Sequence, residues 1–249
     1  MELKNQKVII VGGSSGIGMG IAKGVVAKGA QVIIASRSEE RLRKAAKEIG
    51  KNVEFRVLDA SKPDKVKAFF DKIDRFDHLV TTTHDASPAV LGGVLRTWDA
   101  TDLEAARQFY ESKFWAQVLA VKYGVPKLSS YGSVTMMAGI ASKRTVSNHV
   151  FASAINGAVG AFGSRLAQEI GPKRINVISA GLIDTPTYDL FPEADRKGFF
   201  KLFEEILPVK RYGTVEDIAH SAIYLMENGY VTGTVMVVDG GYEVAIRGA

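Results

Sequence analysis

Gly12, Gly16 and Gly18 stand in the spacing G-x-x-x-G-x-G directly after the apolar run Val8–Val11. Glycine at those positions permits a tight turn and lets the backbone approach a pyrophosphate without Cβ atoms in the way. The free N–H groups of the helix that starts there attract negative charge. Ser14, Ser15 and Ile17 complete the turn, and Ile17, Ile21 and Val25 share one face of that helix. No Lys-Ser or Lys-Thr follows the glycines, which removes a P-loop and leaves a dinucleotide site or a plain strand–helix connector. Away from this turn the reactive inventory is thin. There is no cysteine, hence no disulfide, thiolate zinc site or Cys nucleophile, and neither a Ser-His-Asp order nor a metal-ligand cluster stands out. His84 is an imidazole with a pKa range suited to acid–base work, although a lone histidine is more often structural.

The elements that position these residues alternate along the chain. Strands are expected at 8–11, 31–35, 53–58, 77–82, 133–137, 174–179 and 235–238. Between them, Ser38 caps a helix with Leu42, Ala45, Ala46 and Ile49 on one face, stopped by Gly50. The helix after Pro63 carries Val66, Phe69, Phe70 and Ile73 at helical spacing. A long helix is expected from Thr101, with Glu104 completing a capping box, to about Tyr123, and others at 151–170 and 214–226. Alternation of this kind means right-handed βαβ crossovers and a parallel sheet covered on both faces. The expectation is a single α/β domain over residues 1–249, a Rossmann-type doubly wound parallel sheet of about seven strands.

Ligands of such sheets bind beyond the carboxyl ends of the strands. That rule draws attention to Ser36 and Arg37, Asp59 with Ala60, Thr82 and His84, Ala138 and Gly139, and Gly181. NAD sites place an acid after the second strand, whereas NADP sites place a cation there for the 2′-phosphate. No acid stands at that point, and Arg37 offers a planar fork suited to phosphate. NADP (NADPH) is favoured as cofactor over NAD.

Bulk properties agree with a globular protein. The chain has 249 residues, 46% of them apolar and 24% charged, with a net charge of +5 spread along its length. No basic block of nucleic-acid type and no membrane-spanning apolar run occurs, so neither nucleic acid nor membrane is an expected partner. The first residues lack a signal-peptide core, and a cytoplasmic location is expected.

Over essentially its whole length the sequence resembles the short-chain dehydrogenase/reductase family. The resemblance rests on Val11-Gly-Gly-Ser-Ser-Gly-Ile-Gly18, Asp59, Gly132-Ser-Val-Thr135 and the run from Arg174 to Pro186. Arg211-Tyr-Gly-Thr-Val-Glu-Asp-Ile-Ala219 and Thr232-Gly-Thr-Val-Met-Val-Val-Asp-Gly-Gly241 complete it. It implies a cofactor site made of Gly12, Ser14, Ser15, Gly16, Ile17, Gly18, Ser36, Arg37, Asp59, Ala60, Thr82, Asn156, Gly181, Ile183 and Thr185. Asp59 would lie near the adenine, and Ile183 and Thr185 would hold the nicotinamide carboxamide. Residues 182–207 would form a mobile segment covering a small-molecule carbonyl or alcohol substrate, in a homodimer or homotetramer.

The same resemblance exposes a departure. Members use a Tyr-x-x-x-Lys pair, a Ser after the fifth strand and an Asn on the preceding helix. Those positions fall here on Ala152, Asn156, Ala138 (or Gly139) and Lys113. Tyr123-Gly-Val-Pro-Lys127 has the right letters, but Gly124 and Pro126 end the helix between them. Substitute donors can be named in His84, Lys143, His149 and Lys113. Two function classes follow: an NADP(H)-dependent oxidoreductase with a non-standard proton donor, or a non-catalytic NADP(H)-binding sensor or partner subunit.

Overall fold

Val8, Ile9, Ile10 and Val11 are all buried, as a strand covered on both faces requires. They belong to β1 (Lys7–Val11), the middle of a sheet completed by β2 (Gln31–Ser36), β3 (Val53–Val57), β4 (Phe76–Thr81), β5 (Leu128–Gly139), β6 (Arg174–Ala180) and β7 (Val235–Val238). In this computed structural model, which describes residues 2–245, all seven strands run parallel in the order β3-β2-β1-β4-β5-β6-β7. The expectation of one domain over 1–249 reaches residues 1 and 246–249, which lie outside the described residues. The chain winds outward on one side of β1 and returns on the other, so the crevice opens between β1 and β4.

Helices cover both faces. α1 (Gly16–Ala27), α2 (Glu39–Ile49) and α9 (Val215–Glu227) enclose one core around Ile10, Ile21, Ile34 and Ile218. α3 (Pro63–Asp71), α6 (Ala116–Gly124) and α7 (Val150–Glu169) enclose the other around Ile9, Phe70, Leu79 and Val159. Ser38 caps α2 and Gly50 ends it at φ +103°, both as the sequence predicts. Thr214 and Asp217 form the capping box of α9.

The helix expected from Thr101 to Tyr123 differs from the structure. Its cap is Asp102, whose carboxylate accepts from Glu104 N and Ala105 N, while Thr101 Oγ1 donates to Thr97 O. It runs as α5 (Leu103–Tyr110), then a π-helical turn at Glu111–Trp115, then α6. A further helix, α4 (Pro88–Val94), packs on α5 and has no counterpart in the sequence-based expectation. Its Gly92-Gly93 pair masks the pattern, and a Cβ at Gly93 would stand 2.5 Å from Ala105 Cβ, so the glycine is needed for contact. Residues 182–207 are also more ordered in pattern than a bare loop, ending in α8 (Glu193–Ile206), whose Phe200 and Phe203 are buried.

Candidate functional site

The glycine turn is a packed object. Gly12 N donates to Ala35 O at 2.8 Å, Thr82 N to Val11 O at 2.8 Å, and Thr82 Oγ1 to Gly12 O at 3.1 Å. A Cβ at Gly12 would meet Thr82 Oγ1 at 2.5 Å, and one at Gly18 would run into Gly12 O. Gly16 is different. It holds φ +52°, and the nearest atoms to a Cβ there belong to Thr185 at 3.5 Å. α1 starts behind it with no side-chain cap from Ser15 and no acid in its first turn, leaving its N–H groups for an external anion. Gly16 and Thr185, 169 positions apart in number, are thereby brought to one place.

At the end of β2, Arg37 pairs with Asp85 at 3.1 Å. Arg37 also borders a basin of about 600 Å³ shared with Arg56, Asp59, Lys65, Phe69 and Lys72. The basin is lined by four cations and one acid. Burial would raise the Asp59 carboxyl, but hydrogen bonds from Ser61 Oγ (2.7 Å) and Ser61 N (3.1 Å) outweigh it and hold the group below its ordinary value. Ala60 is buried beside it. Ser36 Oγ is buried without a hydrogen-bond partner. Asp85 itself is anchored, its N donating to Ser112 Oγ at 3.0 Å and its Oδ1 accepting from Ser87 N at 2.9 Å.

Across the crevice, the fully buried Gln117 ties β4, β5 and the π-turn together. Its Oε1 accepts from Thr81 Oγ1 (2.8 Å) and Met137 N (2.9 Å), and its Nε2 donates to Lys113 O (2.8 Å) and Met137 O (3.0 Å). That is the complete capacity of a carboxamide. Sequence reasoning passed over Gln117, although a glutamine between Ala116 and Ala120 on an apolar helix face signals a buried polar contact. Lys113 rides on the turn it fixes, half-buried, and loss of water pulls its ammonium down to about 8. His84 lies nearby. Burial first, and the Lys113 charge second, pull its imidazole down to about 4, so it is neutral at pH 7. Its Nε2 faces Thr187 Oγ1 at 3.4 Å.

Ala138 is buried within the core, whereas a side chain at Gly139 would project to 3.1 Å from Asn156 Nδ2. Of the two alternatives open for the serine position, Gly139 is the one that faces Asn156. Asn156 Oδ1 is buried and unpartnered. Ala152, one turn earlier on α7, is buried in a cluster with Val90, Leu91 and Phe109, so no acid–base group arises there. Lys143 and His149 lie on the loop between β5 and α7. Lys143 is exposed beside Arg144, Ser147 and Glu243, and His149 Nδ1 lies 2.6 Å from Ser147 O. Gly181 N donates to Val238 O at 2.9 Å, and a Cβ there would meet Asp239 at 2.5 Å, so this glycine serves strand packing. Ile183 is buried and bridges to Gly213. Among the described residues no cluster of metal-ligating side chains occurs, and no helix is long and apolar enough to cross a membrane.

A seven-stranded parallel sheet with its glycine turn at the central crevice defines a dinucleotide-binding α/β fold. Residues 11–243 match the family model described as Enoyl-(Acyl carrier protein) reductase. The chain belongs to the short-chain dehydrogenase/reductase family. It is 30% identical to Dehydrogenase/reductase SDR family member 6 of Aquarana catesbeiana, covering 98% of this chain and 99% of that protein. It is 28% identical to Carbonyl reductase family member 4 of Xenopus laevis, covering 94% and 97%. A solved small-chain dehydrogenase in complex with NADPH is 29% identical, with TM-score 0.80 over 97% of this chain and 100% of the other.

Proposed function

We propose that the protein is an NADP(H)-dependent oxidoreductase that interconverts a carbonyl and an alcohol, using a proton donor other than a Tyr-and-Lys pair. The observation that carries this reading is that buried, unpartnered polar atoms include three at or beyond the carboxyl ends of strands: Ser36 Oγ at the end of β2, Thr83 Oγ1 after β4 and Asn156 Oδ1 against Gly139 at the end of β5. Buried polar groups are ordinarily satisfied, so a hydroxyl-rich ligand is their natural complement. The residues present therefore fit a dinucleotide. The named activities of the relatives, and the NADPH held by a structural neighbour, support the same reading.

In this reading the α1 N-terminus receives the pyrophosphate over Gly16, and Arg37 receives the 2′-phosphate. Asp59 flanks the adenine, with Ser14, Ser15, Ile17 and Thr82 lining the turn. Asn156 Oδ1 accepts a hydrogen bond from a ribose hydroxyl, and Ile183 and Thr185 hold the carboxamide. When bound, the reduced nicotinamide supplies a hydride to the substrate carbonyl carbon. The chain's own residues orient both reactants, exclude water beneath residues 182–207, and provide the proton.

Arg37 decides the cofactor. A charge-assisted contact to the 2′-phosphate contributes about 1.5–3 kcal/mol, so NADPH is expected to bind at least about tenfold tighter than NADH. Arg37→Ala is expected to erase most of that preference. Asp85 competes for the same guanidinium through an exposed pair of about 0.2–1 kcal/mol. Asp85→Asn, which keeps an acceptor for Ser87 N, is expected to strengthen NADPH binding by up to about fivefold and leave NADH unchanged. Calorimetric titration of the three proteins with both cofactors checks this; equal affinity of the parent for NADPH and NADH contradicts it.

A further inference from the structure

We infer that Lys113 delivers the proton to the substrate oxygen in carbonyl reduction and takes it back in alcohol oxidation. This rests on the proposed function and names the donor that reading requires.

Lys113 sits on the π-helical turn Glu111–Trp115, where the extra residue re-aims a side chain relative to a regular helix. The turn is held from two sides. Gln117 Nε2 binds the Lys113 carbonyl at 2.8 Å and ties it to the ends of β4 and β5. Phe114, the next residue, packs edge-on against Phe162 of α7 with ring centroids 6.0 Å apart. The turn that carries Lys113 is thus fixed against β4, β5 and α7, and the Lys113 charge acts on His84 just after β4.

The surroundings leave its ammonium unpaired. Among the described residues no carboxylate forms an ion pair with Lys113. From the loop after β4 the titratable neighbours are His84, which is neutral at pH 7, and Asp85, whose carboxylate is held by Ser87 N at 2.9 Å and lies beside Arg37. α7 carries no ionisable side chain from Val150 to Ser164, and the end of β5 carries none from Met136 to Gly139. After β6, Asp184 pairs with Arg196, and Tyr188 is enclosed by Phe191, Phe199 and Phe200. On its own helix Arg107 and Glu111 are exposed. A lysine withdrawn from water without a compensating acid gives up its proton more readily than a surface lysine, and its poise near 8 suits a general acid at neutral pH.

The step balances. As hydride arrives at the carbonyl carbon, the C=O π bond breaks and its electron pair moves to oxygen. That oxygen takes a proton from Lys113 Nζ, whose N–H bonding pair stays on nitrogen. The products are the alcohol, the oxidised cofactor and a neutral amine, which water reprotonates.

The test uses the full-length protein with NADPH and ethyl acetoacetate as the carbonyl probe. Lys113→Met is expected to bind NADPH within about threefold of the parent, by calorimetry, while kcat falls by about 10²–10⁴. Lys113→Arg keeps the charge but cannot release a proton near neutrality, and is expected to fail equally. In the parent, kcat for reduction is expected to be level below pH 7 and to fall through about pH 8, and that limb is expected to vanish from the residual activity of Lys113→Met. A readout independent of turnover is carbon-13 lysine NMR, in which one resonance absent from Lys113→Arg is expected to titrate near pH 8. The melting temperature of Lys113→Met is expected to stay level or rise, since a desolvated charge is removed. Retained kcat in Lys113→Met or Lys113→Arg overturns the assignment, as does a Lys113 resonance titrating above pH 10. A destabilised Lys113→Met that no longer binds NADPH marks the residue as structural and also overturns it. A parent that binds NADPH but reduces no carbonyl overturns the proposed function itself, and this assignment with it.

Discussion

Gly16→Val is expected to weaken NADPH binding by about a hundredfold or more while the protein still folds. Gly16 is the glycine of the turn with room on its outer side: Thr185, at 3.5 Å, is the nearest neighbour that an added Cβ would meet. An isopropyl group there fills the approach between the turn and Thr185, where a pyrophosphate must come within hydrogen-bond reach of the α1 N–H groups. A hundredfold loss corresponds to about 2.7 kcal/mol, within what two charge-assisted hydrogen bonds contribute. The backbone adds its own term, because φ +52° costs a non-glycine residue about 1–2 kcal/mol. The variant is therefore expected to melt a few degrees lower yet remain cooperative. Gly12 and Gly18 would behave otherwise, since a Cβ at either strikes the Gly12–Thr82 contact and disturbs the turn itself. Calorimetric titration with NADPH beside a thermal melt checks this. Parent-like affinity would reduce the turn to a strand–helix connector.

Gln117→Leu is expected to cost about 3–5 kcal/mol of stability, the largest loss anticipated for any single side chain near the site. Leucine fills similar space but strands the Thr81 hydroxyl, the Met137 N–H and two carbonyls that Gln117 now serves. Each buried group left unmade costs about 1–3 kcal/mol, with part recovered by rearrangement. For a chain of this length that loss lowers the melting temperature by about 10 °C. Gln117→Glu keeps the shape and, protonated by burial, one donor in place of two, and is expected to fall between. A melting temperature of Gln117→Leu within about 2 °C of the parent would show that the latch carries no load.

The strands were legible because parallel strands buried on both faces read as unbroken apolar runs, as Val8–Val11 and Val32–Ala35 do. α2 was legible because its start and stop are local chemistry, Ser38 and Gly50. The π-turn was not, because its register is set by Gln117 reaching Thr81 and Met137, contacts 36 and 20 positions away. Asp102 displaced Thr101 as a cap for a smaller reason: both residues cap well, and the Asp102 N bond to Gly93 O decides between them. The placement of the glycine turn after β1 and of Arg37 just after β2 was visible from spacing and strand order. The partner of Arg37, Asp85, lies 48 positions on and belongs to a loop with no pattern of its own. Likewise, composition gives no sign that Lys113 is withdrawn from water while Lys143 is exposed; only the packing of α7 against the π-turn separates them.

The most direct test of carbonyl–alcohol interconversion with NADP(H) is steady-state NADPH oxidation over a broad panel of aldehydes, ketones and β-keto esters. Binding of NADPH is measured on the same preparation. The expected result is saturable turnover of at least one carbonyl with NADPH, at least about tenfold better in kcat/KM than with NADH, and alcohol product in equal amount to cofactor consumed. Tight NADPH binding with no turnover of any panel member would contradict the oxidoreductase reading and leave a cofactor-binding protein in its place.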